Sequence, residues 1–114
     1  MIFFFLDFQV LYLHNNKLKK LPDSLGDLRN LQSLDISGNN LKELPNGLAK
    51  LKRLRTLNIS DNPKLTKLPK SLGQVHSLET ITMNQAQIFQ FPGPQICDQG
   101  TEAIMKFLCK GELR

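Results

Sequence analysis

The chain has 114 residues, 40% of them hydrophobic and 22% charged. That is room for one ordered domain with a modest core, and it excludes both a disordered polar tail and a catalytic domain joined to a separate recognition domain. The formal net charge of +5, from 15 Lys/Arg against 10 Asp/Glu, favours anionic surfaces weakly, but without interleaved aromatics it makes a poor nucleic-acid platform, and none is expected as a partner.

Residues 1–13 are apolar enough to raise the question of a signal or membrane segment. They lack a basic leader and a small-residue cleavage site, and Asp7 and Gln9 interrupt the run well before bilayer length. No integral membrane segment is therefore expected. Two cysteines fall far short of a disulfide framework, which points to a reducing, cytoplasmic setting. In that setting the Asn-Ile-Ser sequon at Asn58 to Ser60 is a chance match.

From residue 9 the chain keeps a strict period. Leu11, Leu13 and Asn16 recur as Leu34, Ile36 and Asn39, then as Leu57, Ile59 and Asn62, in steps of 23 residues; Ile81 and Met83 follow after 24. Between them Leu18, Leu21, Pro22, Leu25, Leu28 and Leu31 return as Leu41, Leu44, Pro45, Leu48, Leu51 and Leu54, and again as Leu65, Leu68, Pro69, Leu72, Val75 and Leu78. By this L-x-x-L-x-L-x-x-N-x-L pattern the chain is identified as a member of the leucine-rich repeat class. The resemblance implies an α/β solenoid with short parallel β-strands on the concave face, an irregular or 3-10 convex side and a C-terminal capping helix. Each unit supplies a strand, such as residues 34–36, whose inward Leu and Ile alternate with outward polar residues. One unit cannot bury its apolar face, but a neighbour covers it. Asn16, Asn39 and Asn62 are predicted to turn inward at the strand ends, their amides donating and accepting along the stack.

The chain divides into an N-terminal remnant (residues 1–8), three full units and a terminal one (9–92), and a cap (93–114) with a helix near 101–110. The third unit carries one extra residue at Pro63 and Lys64, which fits a bulged turn. In the terminal unit Ala86 takes the asparagine place and Ile88 and Phe91 the leucine places. Ile2, Phe5 and Phe8 sit where Leu25, Leu28 and Leu31 would, as the tail of a unit whose strand is missing. Either upstream sequence has been lost or Phe3 to Phe5 form an improvised cap. In the first case a monomer with an aggregation-prone edge near Val10 to His14 is expected.

Outward strand positions form the usual partner-binding face of such a solenoid. They line up in three columns: Val10, Ser33, Thr56 and Thr80; Tyr12, Asp35, Asn58 and Thr82; His14, Ser37, Ser60 and Asn84. This small, polar, nearly uncharged surface suits a protein or peptide ligand, with Tyr12 and Asp35 as its most specific contacts; a solvated sheet face would also be polar. Lysines gather elsewhere: Lys17, Lys19, Lys20, Lys42, Lys64 and Lys67 on the turns leaving the strands, interrupted by Asp23, Asp27 and Glu43. They form either an ordinary solvated surface or a basic edge for an acidic peptide or an anionic surface. His14 and His76 fall on different sides, and no phosphate-binding loop, paired carboxylates, Ser-His-Asp signature or metal-ligand spacing occurs. Catalysis, a cofactor and a metal site are not expected.

After Pro94 the period becomes helical. Thr101 is placed to cap a helix starting at Glu102, Gly111 to end it, and Ile104, Phe107 and Leu108 share one stripe. That stripe is predicted to cover the last repeat over Ile81, Met83, Ile88 and Phe91. Cys97, in the turn before the helix, and Cys109, near its end, read as buried free thiols; a disulfide and metal or redox chemistry are the other readings.

The regular Leu-Pro-x-x-Leu units resemble the intracellular, Ras-group type of leucine-rich repeat, found in scaffold and signalling proteins. Ile96, Cys97, Gly100, Thr101, Ala103, Ile104, Phe107, Leu108, Cys109 and Lys110 are similar to the segment closing the repeat domain of leucine-rich repeat and sterile alpha motif-containing E3 ubiquitin ligases, and residues 57–60 resemble the late repeats there. Related caps also close the repeats of Roco-type proteins. The ligase resemblance implies a target-recognition part without the RING that recruits the conjugating enzyme. A scaffold or adaptor in Ras-type signalling, and a truncated fragment with no retained partner, are the other readings.

Overall fold

A computed structural model of the chain describes residues 9–84 and 89–110; the expectations placed on residues 1–8, Ala86, Ile88 and Gly111 lie outside them. Among the described residues four three-residue strands, β1 (Val10–Tyr12), β2 (Ser33–Asp35), β3 (Thr56–Asn58) and β4 (Thr80–Thr82), form one parallel sheet in chain order. The register joins Val10, Ser33, Thr56 and Thr80 across the sheet, and likewise Tyr12, Asp35, Asn58 and Thr82. Two of the three outward columns read from the sequence are therefore physical rows. Pairing runs past the strands, the Leu13, Ile36 and Ile59 amides donating to the carbonyls of Asp35, Asn58 and Thr82.

Each unit returns through a short 3-10 helix: Asp23–Asp27, Asn46–Lys50 and Lys70–Gln74. Pro22, Pro45 and Pro69 precede them with extended backbones. The ring holds φ and supplies no N–H, so the chain cannot coil earlier, while each proline carbonyl accepts from the residue three further on, Leu25, Leu48 or Leu72. Glycine lets these turns nest. A Cβ on Gly47 would meet the Asp23 carbonyl oxygen at 2.1 Å, and one on Gly26 the Gly47 carbonyl oxygen at 2.3 Å. Left-handed backbone recurs after the strands at Asn15, Gly38 and Asp61 (φ 59°, 67° and 56°), residue types that tolerate it.

The core is the leucine lattice. Leu34, Ile36, Leu41 and Leu51 are sealed from solvent, whereas their counterparts Leu11, Leu13, Leu18 and Leu28 in the first unit are partly covered. The asparagines follow the same gradient. Asn39 Oδ1 accepts from the Asn16 and Leu18 amides at 3.0 and 2.9 Å, and its Nδ2 donates to the carbonyls of Leu13, Ile36 and Ser37. Asn62 accepts from the Leu41 amide and donates to Ile36, Ile59 and Ser60. Each amide thus ties its own turn to the preceding unit. Asn16, expected to do the same, is exposed.

Among the described residues the other end is closed by the helices α1 (Pro94–Cys97) and α2 (Thr101–Lys110). The closure differs from the sequence expectation in four ways. Cys97 ends a helical turn, and its Sγ lies 3.4 Å from the Pro92 carbonyl as a donor. Thr101 lies within α2 and uses its hydroxyl on the sheet, accepting from the Ile81 amide at 2.9 Å, while the Gly100 carbonyl (φ +97° at that glycine) receives the Ile104 amide. Ile81 faces the open side of β4, so the Thr101 hydroxyl replaces the ladder bond that a further strand would make. Ile104 and Leu108 are buried, but Phe107 is 38% exposed and rests against Phe91, ring centroids 5.4 Å apart. Phe91 is only partly covered, and the aromatic that fills the last unit is Phe89.

Candidate functional site

The concave face is built from alternation. In each strand the central residue enters the core and its two neighbours face outward, so the shared register gathers Ser33, Thr56, Asp35 and Asn58 on one surface. Beyond the strands a polar motif repeats. Asp35 Oδ1 accepts from the Ser37 amide and hydroxyl at 3.0 and 2.6 Å; Asn58 Oδ1 accepts from the Ser60 amide and hydroxyl at 3.1 and 2.8 Å. Such turns fix the side chains before any partner arrives. Thr56 Oγ1 donates to Ser33 Oγ at 2.8 Å. Further along, Asn84 Nδ2 donates to Asp61 Oδ1, and the Asp61 amide returns a bond to Asn84 Oδ1.

At the β1 end the surface changes character. Tyr12 is 65% exposed and meets His14 edge-on, with ring centroids 6.0 Å apart. His14 Nδ1 lies 3.8 Å from Asp35 Oδ2, the carboxylate oxygen that Ser37 leaves open. Tyr12, His14 and Asp35, read from the sequence as members of two columns, thus form one cluster on adjacent strands. Val10, beside them, is 46% exposed. Thr80 and Thr82 are exposed on β4, so the face presents threonines at that end and the Tyr12–His14 pair at the other.

Cys97 and Cys109 are free thiols, each half-buried and neither sealed in the core as the sequence suggested. Burial, and to a lesser degree the Asp98 carboxylate, push the Cys97 thiol above its ordinary pKa. Such a thiol is a weak nucleophile at neutral pH. Among the described residues no group of three or more His, Cys, Asp or Glu is placed to hold a metal ion, and no helix is long and apolar enough to cross a membrane.

Beside the lysines that the sequence offered as either a solvated surface or a basic edge lies a groove that the sequence reading missed. The repeated Leu-Pro steps after the strand-exit turns line this groove from Lys20 to Phe91. Its signal was present in the periodic prolines Pro22, Pro45 and Pro69.

A parallel ladder, proline-led 3-10 turns, an asparagine stack and a rigid polar concave face together define a protein-interaction solenoid. A scan against protein families matches residues 5–96 to the leucine-rich repeat region, and the chain belongs to that family. Among solved structures it is similar to the leucine-rich repeat protein LIC12759 of Leptospira interrogans, at 40% identity and a TM-score of 0.62 over 68% of this chain and 21% of that one. It is also similar to the leucine-rich repeat domain of the type III effector XopL (XCV3220), at 29% identity and a TM-score of 0.58 over 69% of this chain and 30% of that one. The chain thus spans less than a third of either matched chain. A search of the curated proteins finds no match.

Proposed function

We propose that the concave face holds an extended segment of a partner protein, with Tyr12, His14 and Asp35 as the anchoring cluster. The observation that carries this reading is the fixed Asp35 carboxylate. One oxygen is locked by Ser37 while the other faces His14, whose ring meets the exposed Tyr12. An exposed aromatic beside a fixed carboxylate is the composition of an interface anchor, and groups already held in place lose little freedom on binding.

Affinity capture from cytosol, followed by titration of the purified partner against Tyr12→Ala and Asp35→Ala, tests it. Each variant is expected to weaken binding by about tenfold or more. A partner bound with undiminished affinity by both would place recognition elsewhere.

A finer reading rests on the resemblance of residues 57–60 and 96–110. In it the chain is the target-recognition part of a cytoplasmic RING-type E3 ubiquitin ligase-like protein and delivers targets to a catalytic domain it does not contain. The regular Leu-Pro-x-x-Leu units favour instead a scaffold or adaptor in Ras-type signalling. Ubiquitylation of the captured partner by the full-length protein separates the two, because an adaptor bound to a small GTPase would leave its partner unmodified.

A further inference from the structure

The groove missed by the sequence reading encloses about 1010 Å³ between the strand-exit turns and the 3-10 helices. Buried Leu21, Leu44 and Leu68 form its floor, and three extended proline backbones cross it side by side. At its C-terminal end the same extended run is paired by a parallel bridge between Lys67 and Phe91, where the Leu68 amide donates to the Phe91 carbonyl at 2.8 Å.

Charge on the walls is one-sided. Lys20, Lys67 and Lys70 line the groove, and Lys42 and Lys64 border the adjoining depression. Five lysines there face two acids, Asp23 and Glu43, a local excess of three that carries most of the net +5 of the chain. Among the described residues none of these lysines is in an ion pair, while Arg55 and Lys106 on other surfaces are. Asp23 is partly spent on the Gly47 amide at 3.3 Å.

We propose that this groove docks an acidic, extended segment of a partner protein in polyproline II conformation. Its backbone crosses the repeats, and its carboxylates pair with Lys20 at one end and Lys67 and Lys70 at the other. Equivalent positions in successive repeats lie about 5 Å apart along a parallel ladder, so Lys20 and Lys67, two repeats apart, are separated by about 10 Å. A polyproline II turn advances about 9 Å in three residues, which sets the acids at i and i+3. Glu43 occupies the middle of the column and repels an acid between them, so the intervening residues are neutral. Proline rings in those places find the Leu-Pro floor and the Phe91 ring.

A flat anionic membrane fits less well. It would bring Asp23 and Glu43 against like charge, and among the described residues the exposed large hydrophobics, Val10, Tyr12 and Phe107, do not line this groove.

The test uses a fluorescein-labelled peptide of four glutamates separated by Pro-Pro pairs, with fluorescence anisotropy as the readout. Saturable binding is expected, weakened by about tenfold or more in Lys20→Glu and in Lys67→Glu/Lys70→Glu, and by raising salt from about 50 to about 300 mM. Tyr12→Ala is expected to bind this peptide unchanged, separating the groove from the concave face. Lys20→Gln and Lys67→Gln, with unchanged circular dichroism, serve as milder variants that keep any loss attributable to charge. Equal binding of a peptide with the same composition but its glutamates in one block would reduce the site to unspecific attraction and overturn the proposal. So would affinity unaffected by the lysine variants, or recruitment of phosphatidylserine vesicles by a chain that ignores the peptide.

Discussion

Asn39 shows how much one side chain carries in a repeat. Its amide makes five hydrogen bonds to backbone groups of two successive units, in a place that is 3% exposed. Alanine there strands buried donors and acceptors, and Asn39→Ala is expected to lower stability by about 1–3 kcal/mol in urea titration. Asn16→Ala, at the same repeat position but exposed, is expected to change little. Equal effects from the two would refute the assignment of the ladder bonds. Cys97 gives a pH-dependent expectation. Its pKa is raised by burial and by Asp98, so the fold favours the neutral thiol. That contribution is fully present below the unfolded thiol's pKa and is lost as pH rises through the folded value. Alkylation of native Cys97 should therefore begin at higher pH than in the urea-unfolded chain, and coincident rate profiles would contradict it.

At the level of elements, glycine and the cap helix decide how closely neighbours pack. Gly47→Ala places a methyl 2.1 Å from the Asp23 carbonyl, a backbone atom that cannot swing aside. The 3-10 turns must part, at a cost of about 1–3 kcal/mol read from the shift in the urea midpoint. Wild-type stability in this variant would mean that the turns are not nested as described. The cap helix shows the same intimacy, since a Cβ on Gly73 would meet the Cys109 amide nitrogen at 2.7 Å. Leu108, 1% exposed, is the residue it drives into the last unit. Leu108→Asp puts a carboxylate into that seam and is expected to cost about 3 kcal/mol or more, with increased dye binding as the last unit opens. Unchanged stability would remove α2 as the seal.

Across the whole molecule, the buried set runs without a break from Leu21 to Leu108. In a solenoid each unit contacts only its neighbours, and cooperativity is carried by the interfaces between them. With few units and one contiguous core, urea unfolding is expected as a single transition. Far-UV circular dichroism and the alkylation of Cys97 at the cap should share one midpoint. An earlier cap transition would mean that α1 and α2 are a separable unit. The same stacking sets the two proposed recognition surfaces apart. Strands aligned in register make the concave face, and prolines aligned in register make the lysine-walled groove.

Most of the fold was legible in the chain because its information is periodic. A leucine that returns every 23 residues announces both its inward face and its neighbour, and Leu34, Leu57, Pro45 and Asn39 each behave as the period requires. The outward columns were legible for the same reason, since alternation within a strand leaves no other place for Ser33, Asp35 and Thr56. What lay beyond the sequence is found where the period stops or where surfaces meet. That Thr101 serves the Ile81 amide across 20 residues rather than its own helix depends on the path of the chain through α1. Which aromatic seals the end, Phe89 and not Phe91, depends on the bridge that turns Phe91 beside Lys67. The gathering of Tyr12, His14 and Asp35, and of Lys20 with Lys67, depends on distances between units. Composition and period determined which face of the unit each residue occupies; the tertiary structure decided how completely the end units are covered and which polar groups lie within hydrogen-bonding or ion-pairing reach, because those are properties of neighbours and pairs.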